Sequence, residues 1–308
     1  MSTEVQGEGR RPLVSVFMPV YNAEKYVAEA LLSVLAQTHT NLEVVVSDDA
    51  SSDRSAEILR EFARRDSRVR LFVQERNLGV TANCNFLLER CSGDYVCFFA
   101  GDDVLKANCL EAMLKHAISD PNLAIVFHAA GRIDGESRPL PYPWNGARTH
   151  TGRLVDFLER GVYVGLNGML VRSSFLDGCS YDPELPYASD LSILYGILQK
   201  SGAFFLFLAE DLSSWRKHAT SQTQANNVTG TLEQALENHR LALRFPSHCR
   251  NFLVRARAQA LDVARVRHGR IVRAFLRLAF AQPIRAYDHL RGRKTIFWSL
   301  RHWVLARL

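Results

Sequence analysis

Two adjacent carboxylates end an apolar stretch about a third of the way along the chain. In FFAGDDVL, residues 98–105, Phe98 and Phe99 are closely followed by Asp102 and Asp103. One aspartate here is explained if it caps a helix, because its oxygens accept the free N–H groups of the first turn. Two neighbouring carboxylates repel each other unless positive charge lies beside them. A divalent cation that also binds phosphate oxygens would supply that charge, so capping and metal binding both stay open.

A second acidic pair follows another apolar stretch. Asp48 and Asp49 lie in VVVSDDASSD, where the following residues are typical of a turn and a helix cap. The same oxygens could instead accept hydrogen bonds from a ligand, such as the imide N–H of a pyrimidine or the hydroxyls of a ribose. Two such pairs, each after a strand, are less expected by chance than either pair alone.

Apolar segments alternate with amphipathic ones over residues 13–130, and this pattern positions both pairs. The predicted strands are 13–20, 42–49, 69–74, 94–101 and 123–130, and the predicted helices are 24–37, 53–65, 80–91 and 105–119. Such alternation predicts a parallel sheet with helices on both faces. Ligands of such sheets bind beyond the carboxyl ends of the strands, where the two acidic pairs would lie.

The alternation fades after residue 130. We expect a loop or irregular hairpin over 132–150, a strand leading into a short helix at 167–175, a helix at 187–200, a strand at 203–209 and a strand or loop at 211–216. From residue 231 the periodicity is helical.

The formal charge of +6 is spread unevenly, since residues 250–308 contain fourteen Lys or Arg and two acids. Trp and Phe side chains are interleaved with these cations, which favours docking of this segment on an anionic membrane surface. A solvated helical face is the simpler alternative, and no nucleic-acid-binding module is recognisable, so we expect no nucleic-acid partner.

Six cysteines without a C-x-x-C pair indicate reduced thiols, as in a cytoplasmic protein. The polar residues 1–12 predict no signal peptide, and no apolar stretch of about 18 residues predicts a membrane span. We therefore expect a cytoplasmic protein that is peripheral on the inner face of the cell membrane.

Four segments resemble, in the right order, those of the inverting family 2 glycosyltransferases of the GT-A fold. They are VSVFMPVYNAEKYVAEALLSVLAQT, LEVVVSDDASSDRSAEIL, NLGVTANCNFLLERCSGDYVCFFAGDDVL and SSWRKHATSQT, and together they cover about residues 13–220. The resemblance implies an α/β GT-A fold with a mostly parallel, twisted sheet flanked by helices. It also implies an enzyme that moves one sugar from a nucleotide diphosphate sugar, a UDP-sugar in the first instance, with Mn²⁺ or Mg²⁺.

Together, the composition, the periodicity and the resemblance predict four regions in the chain. These are a disordered N-terminus (1–12), a nucleotide-sugar-binding half (13–130), an acceptor-binding half (131–230) and a helical basic C-terminal extension (231–308). The acceptor would be a glycan or a lipid-linked glycan, with bacterial surface polysaccharide or lipopolysaccharide biosynthesis as the setting.

The resemblance also implies roles for individual residues. Contacts with the nucleotide and donor fall to Pro19, Tyr21, Asp48, Asp49, Gly79, Asn83 and Asp102. Asp103 and His218 would bind the metal, with Asp103 as its direct ligand, and Asp190 would be the catalytic base. Asn167 and Arg172 are candidates for the acceptor side. Taken alone, Asp190 could equally be the N-cap of a helix. The neighbouring Arg216 and Lys217 favour a position of His218 near phosphates.

These residue types suit sugar transfer. A divalent ion offsets the charge that gathers on a diphosphate leaving group, and a carboxylate within reach deprotonates the acceptor hydroxyl. Two departures from the family pattern are NCN at 83–85, where many members carry Ala-Arg-Asn, and Ala50 in place of Gly. The motifs of processive synthases are absent, which favours transfer of a single sugar.

Two rival functions would make different demands on the sequence. A sugar-nucleotide nucleotidyltransferase would need a Gly-rich phosphate loop with Lys or Arg after the first strand, and PVYNAEKY is not such a loop. A catalytically inactive nucleotide-sugar-binding protein would not need the carboxylates at Asp102, Asp103 and Asp190.

Overall fold

The computed structural model describes residues 11–141, 148–154, 156, 168–184 and 189–218. The chain divides into two units, residues 1–157 with 162–224 and residues 158–161 with 225–308. All the described residues belong to the first unit. The predicted basic extension at 231–308 and most of the N-terminal segment at 1–12 therefore lie outside the described residues.

Strands and helices alternate in the first half of this unit, as the apolar periodicity predicts. The elements are β1 (Val14–Val20), α1 (Val27–Leu35), β2 (Leu42–Asp48), α2 (Ser55–Arg65), β3 (Val69–Val73), α3 (Val80–Leu88), β4 (Tyr95–Phe98), β5 (Val104–Leu105) and α4 (Cys109–Ala117). Strands β1 and β2 are almost entirely buried, which explains why they are continuous apolar runs rather than alternating ones.

The second half contains fewer helices and more antiparallel pairing. Its elements are β6 (Leu123–Ile133), β7 (Pro139–Leu140), β8 (His150–Gly152), β9 (Met169–Arg172) with a short 3-10 turn behind it, α5 (Ser189–Leu198) and β10 (Phe204–Arg216). Strand β7 returns along β6 as a hairpin, and β8 runs antiparallel to β10.

One sheet unites these strands in the order β3-β2-β1-β4-β9-β6-β10-β5. Strands β1 to β4 are mutually parallel where they pair. Strand β9 lies between β4 and β6 and is antiparallel to both, so β6 and β10 again run in the direction of β4. The carboxyl ends of β1, β2, β4, β6 and β10 therefore face the same edge of the sheet.

Helices cover both faces of the sheet. One core layer joins the sheet to α1, α2 and α4 through residues such as Leu31, Leu59 and Leu110. The other joins it to α3 and α5 through residues such as Leu87 and Leu194. This confirms the predicted α/β class.

The structure differs from the predicted elements in three places. Strand β4 ends at Phe98, before the predicted end at 101, because the chain turns there toward the acidic pair. Strand β9 separates the fourth and fifth predicted strands, so the sheet is mixed rather than mostly parallel. The predicted strands at 203–209 and 211–216 form one strand with register shifts between Leu208 and Ser213. Within the described residues, no helix has the length and apolarity needed to cross a bilayer.

Candidate active site

The loops after β1 and β2 are joined by hydrogen bonds at the carboxyl edge of the sheet. Asn22 adopts a positive φ of 48°, a conformation that Asn tolerates better than most residues. Its N–H donates to Ser51 Oγ at 2.9 Å, and its Oδ1 accepts the N–H of Ser52 at 2.8 Å. The neighbouring Tyr21 remains 53% exposed and is available to a flat ligand at this edge, while Pro19 lies beside Ser47 within the sheet.

Asp49 is buried and holds the loop before α3. Its two carboxylate oxygens accept the N–H groups of Leu78 at 2.7 Å and Gly79 at 3.0 Å. Gly79 has a φ of 82°, where a residue with a side chain would be strained. The structure therefore shows Asp49 and Gly79 as one arrangement that shapes this loop.

Asp48 is fully buried, and its two oxygens differ. Oδ2 accepts the N–H of Ser51 at 3.0 Å, whereas Oδ1 has no hydrogen-bond partner within the described part of the chain. Asn83 is also buried, and its Oδ1 accepts a hydrogen bond from the Ser47 hydroxyl at 2.6 Å. Asn83 therefore positions α3 on β2 and does not present its amide at the surface.

The acidic pair follows β4 in a loop that packs closely on β1. A Cβ atom at Gly101 would lie 2.8 Å from Val20 Cγ2, so glycine permits this close approach. Asp103 is 1% exposed, and its Oδ1 accepts the backbone N–H of Arg216 at 2.8 Å. Burial, and then the charge of Asp102, raise the pKa of Asp103 well above its ordinary value.

Asp102 is the more accessible carboxylate of the pair, with a side chain 29% exposed. Its Oδ2 lies 3.0 Å from Nε2 of His218, and the ring of Tyr26 packs against His218 with a centroid distance of 4.4 Å. The Asp102 side chain is therefore partly exposed beside a largely buried His218, whereas Asp103 is buried. The assignment of the metal to Asp103 stays a prediction.

These residues fit a divalent metal that receives the rest of its ligands from elsewhere. A carboxylate is a suitable donor for Mn²⁺, and a neutral imidazole is a common metal ligand in proteins. Among the described residues, no group of three or more His, Cys, Asp or Glu side chains is arranged to hold a metal. Diphosphate oxygens and water would complete the shell, as is usual for ions bound by one or two carboxylates together with substrate phosphates.

Asp190 lies in the first turn of α5 at the same edge of the sheet. Helix α5 leads into β10, whose first residue pairs with the first residue of β6. The end of α5 is therefore at the amino edge of the sheet. Its start, with Asp190, is at the carboxyl edge. Burial raises the pKa of Cys84 on α3, and the charges of Asp190 and Asp49 raise it further. Asp190 therefore lies on the same side of the sheet as α3 and the Asp49 loop.

Desolvation by the surrounding protein raises the pKa of Asp190 to about 6. The residue nevertheless lies in the exposed class by its solvent-accessible area. Solvent screening at such a position moderates the shift. A carboxylate with a pKa close to neutral is suited to proton transfer.

Asn85 connects α3 to the segment that precedes Asp190. Its Nδ2 donates to the carbonyl of Tyr181 at 2.9 Å, and its Oδ1 accepts the N–H of Tyr181 at 2.8 Å. The Tyr181 ring is buried against Phe17 and Phe98, at centroid distances of 6.2 and 6.4 Å. This anchor fixes one end of the segment that leads to the candidate base.

Of the two acceptor-side candidates, the structure describes Arg172, which does not reach this site. Arg172 pairs with Tyr95 at the start of β4, at the amino edge of the sheet. Its guanidinium donates to the carbonyls of Ala117 and Asp120 behind α4 and stacks over Tyr95. The predicted acceptor role of Arg172 is therefore corrected to a structural one, and Asn167 lies outside the described residues.

Sequence reasoning missed two residues that organise the site. Arg216 was expected near phosphates, but its side chain is buried and bonded to protein groups. Asn85 was noted only as part of the NCN segment. A sequence signal for Asn85 was available. Like Asn83, it is a polar residue on the inward side of a predicted helix, and a polar group there needs a hydrogen-bond partner.

The fold is shared with solved glycosyltransferases. S. aureus TarS 1–349 in complex with UDP-GlcNAc matches with a TM-score of 0.59 and 18% identity, over 81% of this chain and 71% of that chain. The mannosyltransferase PcManGT from Pyrobaculum calidifontis, solved with GDP-Man and Mn²⁺, matches with a TM-score of 0.54 and 16% identity, over 92% and 85% of the two chains. At these identities the likeness shows the fold alone, which is that of the GT-A glycosyltransferases.

Sequence comparison gives the family. The model of glycosyl transferase family 2 matches residues 15–178, more than half of the chain. Chondroitin synthase of Escherichia coli is 35% identical over 136 residues, which are 44% of this chain and 20% of that protein. The matches span less than half the length of the first curated relatives, at 44%, 20% and 15%. The chain belongs to glycosyl transferase family 2, a family of transferase enzymes.

Proposed function

We propose that the protein moves a single sugar, with inversion, from a nucleotide diphosphate sugar to a glycan or lipid-linked acceptor. The observation that carries this proposal is the accessible Asp102, 3.0 Å from His218, at the same sheet edge as Asp190. Asp102 and His218 suit the binding of a metal-bound diphosphate, and Asp190 suits the role of a base. TarS was solved with UDP-GlcNAc, which supports a UDP-sugar as the donor to test first.

The structure suggests how the chain's own residues would divide the work. The Asp49 loop and Tyr21 would hold the nucleoside, because the loop is rigidly bonded and the Tyr21 ring is exposed. Asp102 and His218 would bind Mn²⁺ or Mg²⁺, which when bound offsets the charge on the departing diphosphate. This assigns the direct metal contact to Asp102 instead of Asp103.

Asp190 would accept the proton of the acceptor hydroxyl. Its raised pKa makes it a stronger base than an ordinary carboxylate, yet it remains largely ionised at neutral pH. Attack from the side opposite the diphosphate would invert the configuration at the anomeric carbon. The 13–130 part would then serve the donor and the 131–230 part the acceptor.

A nucleotide-sugar screen by thermal shift tests the donor. Specific binding raises the apparent stability by mass action, so one UDP-sugar with Mn²⁺ should raise Tm more than other nucleotide sugars, and EDTA should remove most of the increase. Product analysis by NMR then gives the anomeric configuration. Equal shifts for all nucleotides, or a retained anomeric configuration in the product, would contradict the proposal.

The acceptor is proposed to belong to a bacterial surface polysaccharide or lipopolysaccharide. The relative with the printed name chondroitin synthase supports a polysaccharide product. We further propose that residues 250–308 bring the protein to the inner face of the cell membrane through their excess of Lys and Arg. Removal of this segment should release the protein from vesicles that contain anionic lipid, and continued binding would refute the idea.

A further inference from the structure

Among the described residues, Arg216 is the largest of the side chains that are almost completely buried, with 1% exposure. Residues of this type are rarely buried unless every donor is paired. Burial of a guanidinium is costly even with partners, and an apolar residue of similar volume often stabilises a fold as well or better. Stability alone therefore gives a weak reason for a buried arginine here.

The bonds of Arg216 begin at the acidic pair. Its backbone N–H donates to Asp103 Oδ1 at 2.8 Å, and its Nε donates to the carbonyl of Asp102 at 2.7 Å. Arg216 thus binds both aspartates. Its backbone binds the Asp103 side chain, and its side chain binds the Asp102 backbone. These two bonds hold the Asp102 backbone and the Asp103 carboxylate against Arg216.

The other end of the guanidinium binds two further segments. One terminal nitrogen donates to the carbonyl of Asp134 at 3.1 Å and to Ser137 Oγ at 2.8 Å, in the turn between β6 and β7. The other donates to Glu29 on α1 at 2.7 Å. A lysine could not reproduce these bonds, because it lacks the planar fork that serves several acceptors in fixed directions.

The same three segments surround His218. Tyr26, one turn before Glu29, packs on the His218 ring and also lies 4.9 Å beneath the Arg216 guanidinium. A Cβ atom at Gly135, in the β6–β7 turn, would lie 3.3 Å from the Tyr26 hydroxyl and 3.9 Å from His218 Cβ. The surroundings of His218 therefore depend on the segments that Arg216 joins.

We propose that Arg216 is the positioning residue that holds the Asp102–Asp103 loop against α1 and the β6–β7 turn, so that Asp102 and His218 keep the spacing a metal diphosphate requires. This inference rests on the proposed function, since that function gives the pair its ligand. Misplacement of binding groups by about 1 Å can cost on the order of 100-fold in rate, so a positioning residue without ligand contact can matter strongly.

The test compares Arg216→Met and Arg216→Lys with Arg138→Met in the full chain. Arg138 lies in the same turn and binds the side chains of Asp134 and Glu136, so it is a matched control that does not touch the acidic pair. Uptake of Mn²⁺ in the presence of UDP is followed by the loss of the electron paramagnetic resonance signal of free Mn²⁺. Both Arg216 variants should bind Mn²⁺ with UDP about tenfold or more weakly, and Arg138→Met should match the wild type.

Glu29→Ala provides a variant that should still fold, because Glu29 is on the outer face of α1 with a side chain 45% exposed and Ala favours helix. It removes one partner of Arg216 and should weaken Mn²⁺ uptake about two- to fivefold. Wild-type uptake in any folded Arg216 variant, or an unaltered Glu29→Ala, would overturn the inference. A purely structural role would lower Tm but leave uptake by the folded protein unchanged.

Hydrogen–deuterium exchange separates this inference from the proposed function. Amides of residues 100–105 and 133–138 should exchange faster in Arg216→Met than in Arg138→Met. If they do so in a protein whose wild type takes up no Mn²⁺ with UDP, the proposed metal site fails and the positioning role stands. If exchange is unchanged, the positioning role fails whatever the activity.

Discussion

Asn85 and Tyr181 exchange two hydrogen bonds, of 2.9 and 2.8 Å, across 96 residues of sequence. One side-chain amide thereby satisfies both the N–H and the carbonyl of Tyr181. Helix α3, which follows the Asp49 loop, is in this way tied to the segment that leads to Asp190. The Asn85–Tyr181 bonds therefore link the donor side to the start of the segment that precedes the candidate base.

Asn85→Ala should therefore reduce turnover more than donor binding. The variant frees the Tyr181 backbone and lets the segment before Asp190 move, so we expect kcat to fall roughly tenfold or more with a much smaller change in the donor KM. Steady-state kinetics with the best donor measure both. Glu89→Ala, at the end of the same helix with a side chain 77% exposed, is the control, and equal kinetics for the two variants would argue against the link.

Asp190→Asn should remove the base without changing its size. We expect kcat to fall by about 100-fold or more. In the wild type, kcat/KM should rise with pH up to about 6 and then level off, because the base must be unprotonated. A pH-rate profile measures this, and a flat profile between pH 4.5 and 8 would count against Asp190 as the base.

Asp190→Asn should stabilise the protein at alkaline pH, although it lowers kcat. The folded-state pKa of Asp190 is raised from 3.8 to about 6, so its stabilising protonated form is fully present below pH 3.8 and is lost as the pH rises to about 6. Asn carries no charge, and Asp190→Asn should therefore melt at a higher temperature than the wild type at pH 8. The difference should shrink toward pH 4 in calorimetry, and a destabilised variant at pH 8 would contradict the assignment.

Asp102→Asn and Asp103→Asn should differ in their dependence on metal. Asp102 faces His218 and solvent, so its substitution should weaken Mn²⁺ activation about tenfold or more. Asn at position 103 can still accept the N–H of Arg216, and this variant should lose less. Titration of activity against Mn²⁺ separates the two, and a larger loss at Asp103 would restore the assignment expected from the sequence.

Arg172→Met should affect stability and spare catalysis. The Arg172 guanidinium donates hydrogen bonds to carbonyls at the end of α4. Loss of these hydrogen bonds should lower the free energy of unfolding by about 1–3 kcal/mol. Denaturant unfolding measures this cost, and the acceptor KM should stay within about twofold of wild type. A raised acceptor KM in a protein of unchanged stability would return Arg172 to the acceptor side.

The first half of the fold could be predicted because its signals are local. Strands β1 and β2 are short, mostly apolar and followed by amphipathic helices, so period and length alone identify them. The position of β9 could not be predicted, since pairing between β4 and β6 depends on contacts remote in sequence. Strand β10 appeared as two segments because the polar residues Glu210 and Asp211 interrupt its apolar run, and the structure accommodates them at register shifts.

The site shows the same division between local and remote information. The carboxylates at 102 and 103 could be placed at the carboxyl edge because they follow a recognisable strand, and Asp190 could be placed at the start of a helix. The difference between Asp102 and Asp103 depends on Arg216, which is 113 residues from Asp103. Arg172 appeared polar and available, but the antiparallel direction of β9 carries it to the far edge.

The long separation between Asp103 and Arg216 also constrains the order of events during synthesis. Synthesis proceeds at about 5–20 residues per second, and N-terminal segments begin to fold first. The sheet from β1 to β4 can therefore form while β10 has not yet left the ribosome. Until Arg216 emerges, Asp102 and Asp103 remain a solvated, repelling pair, so the nascent chain completes its acidic site only when β10 is added.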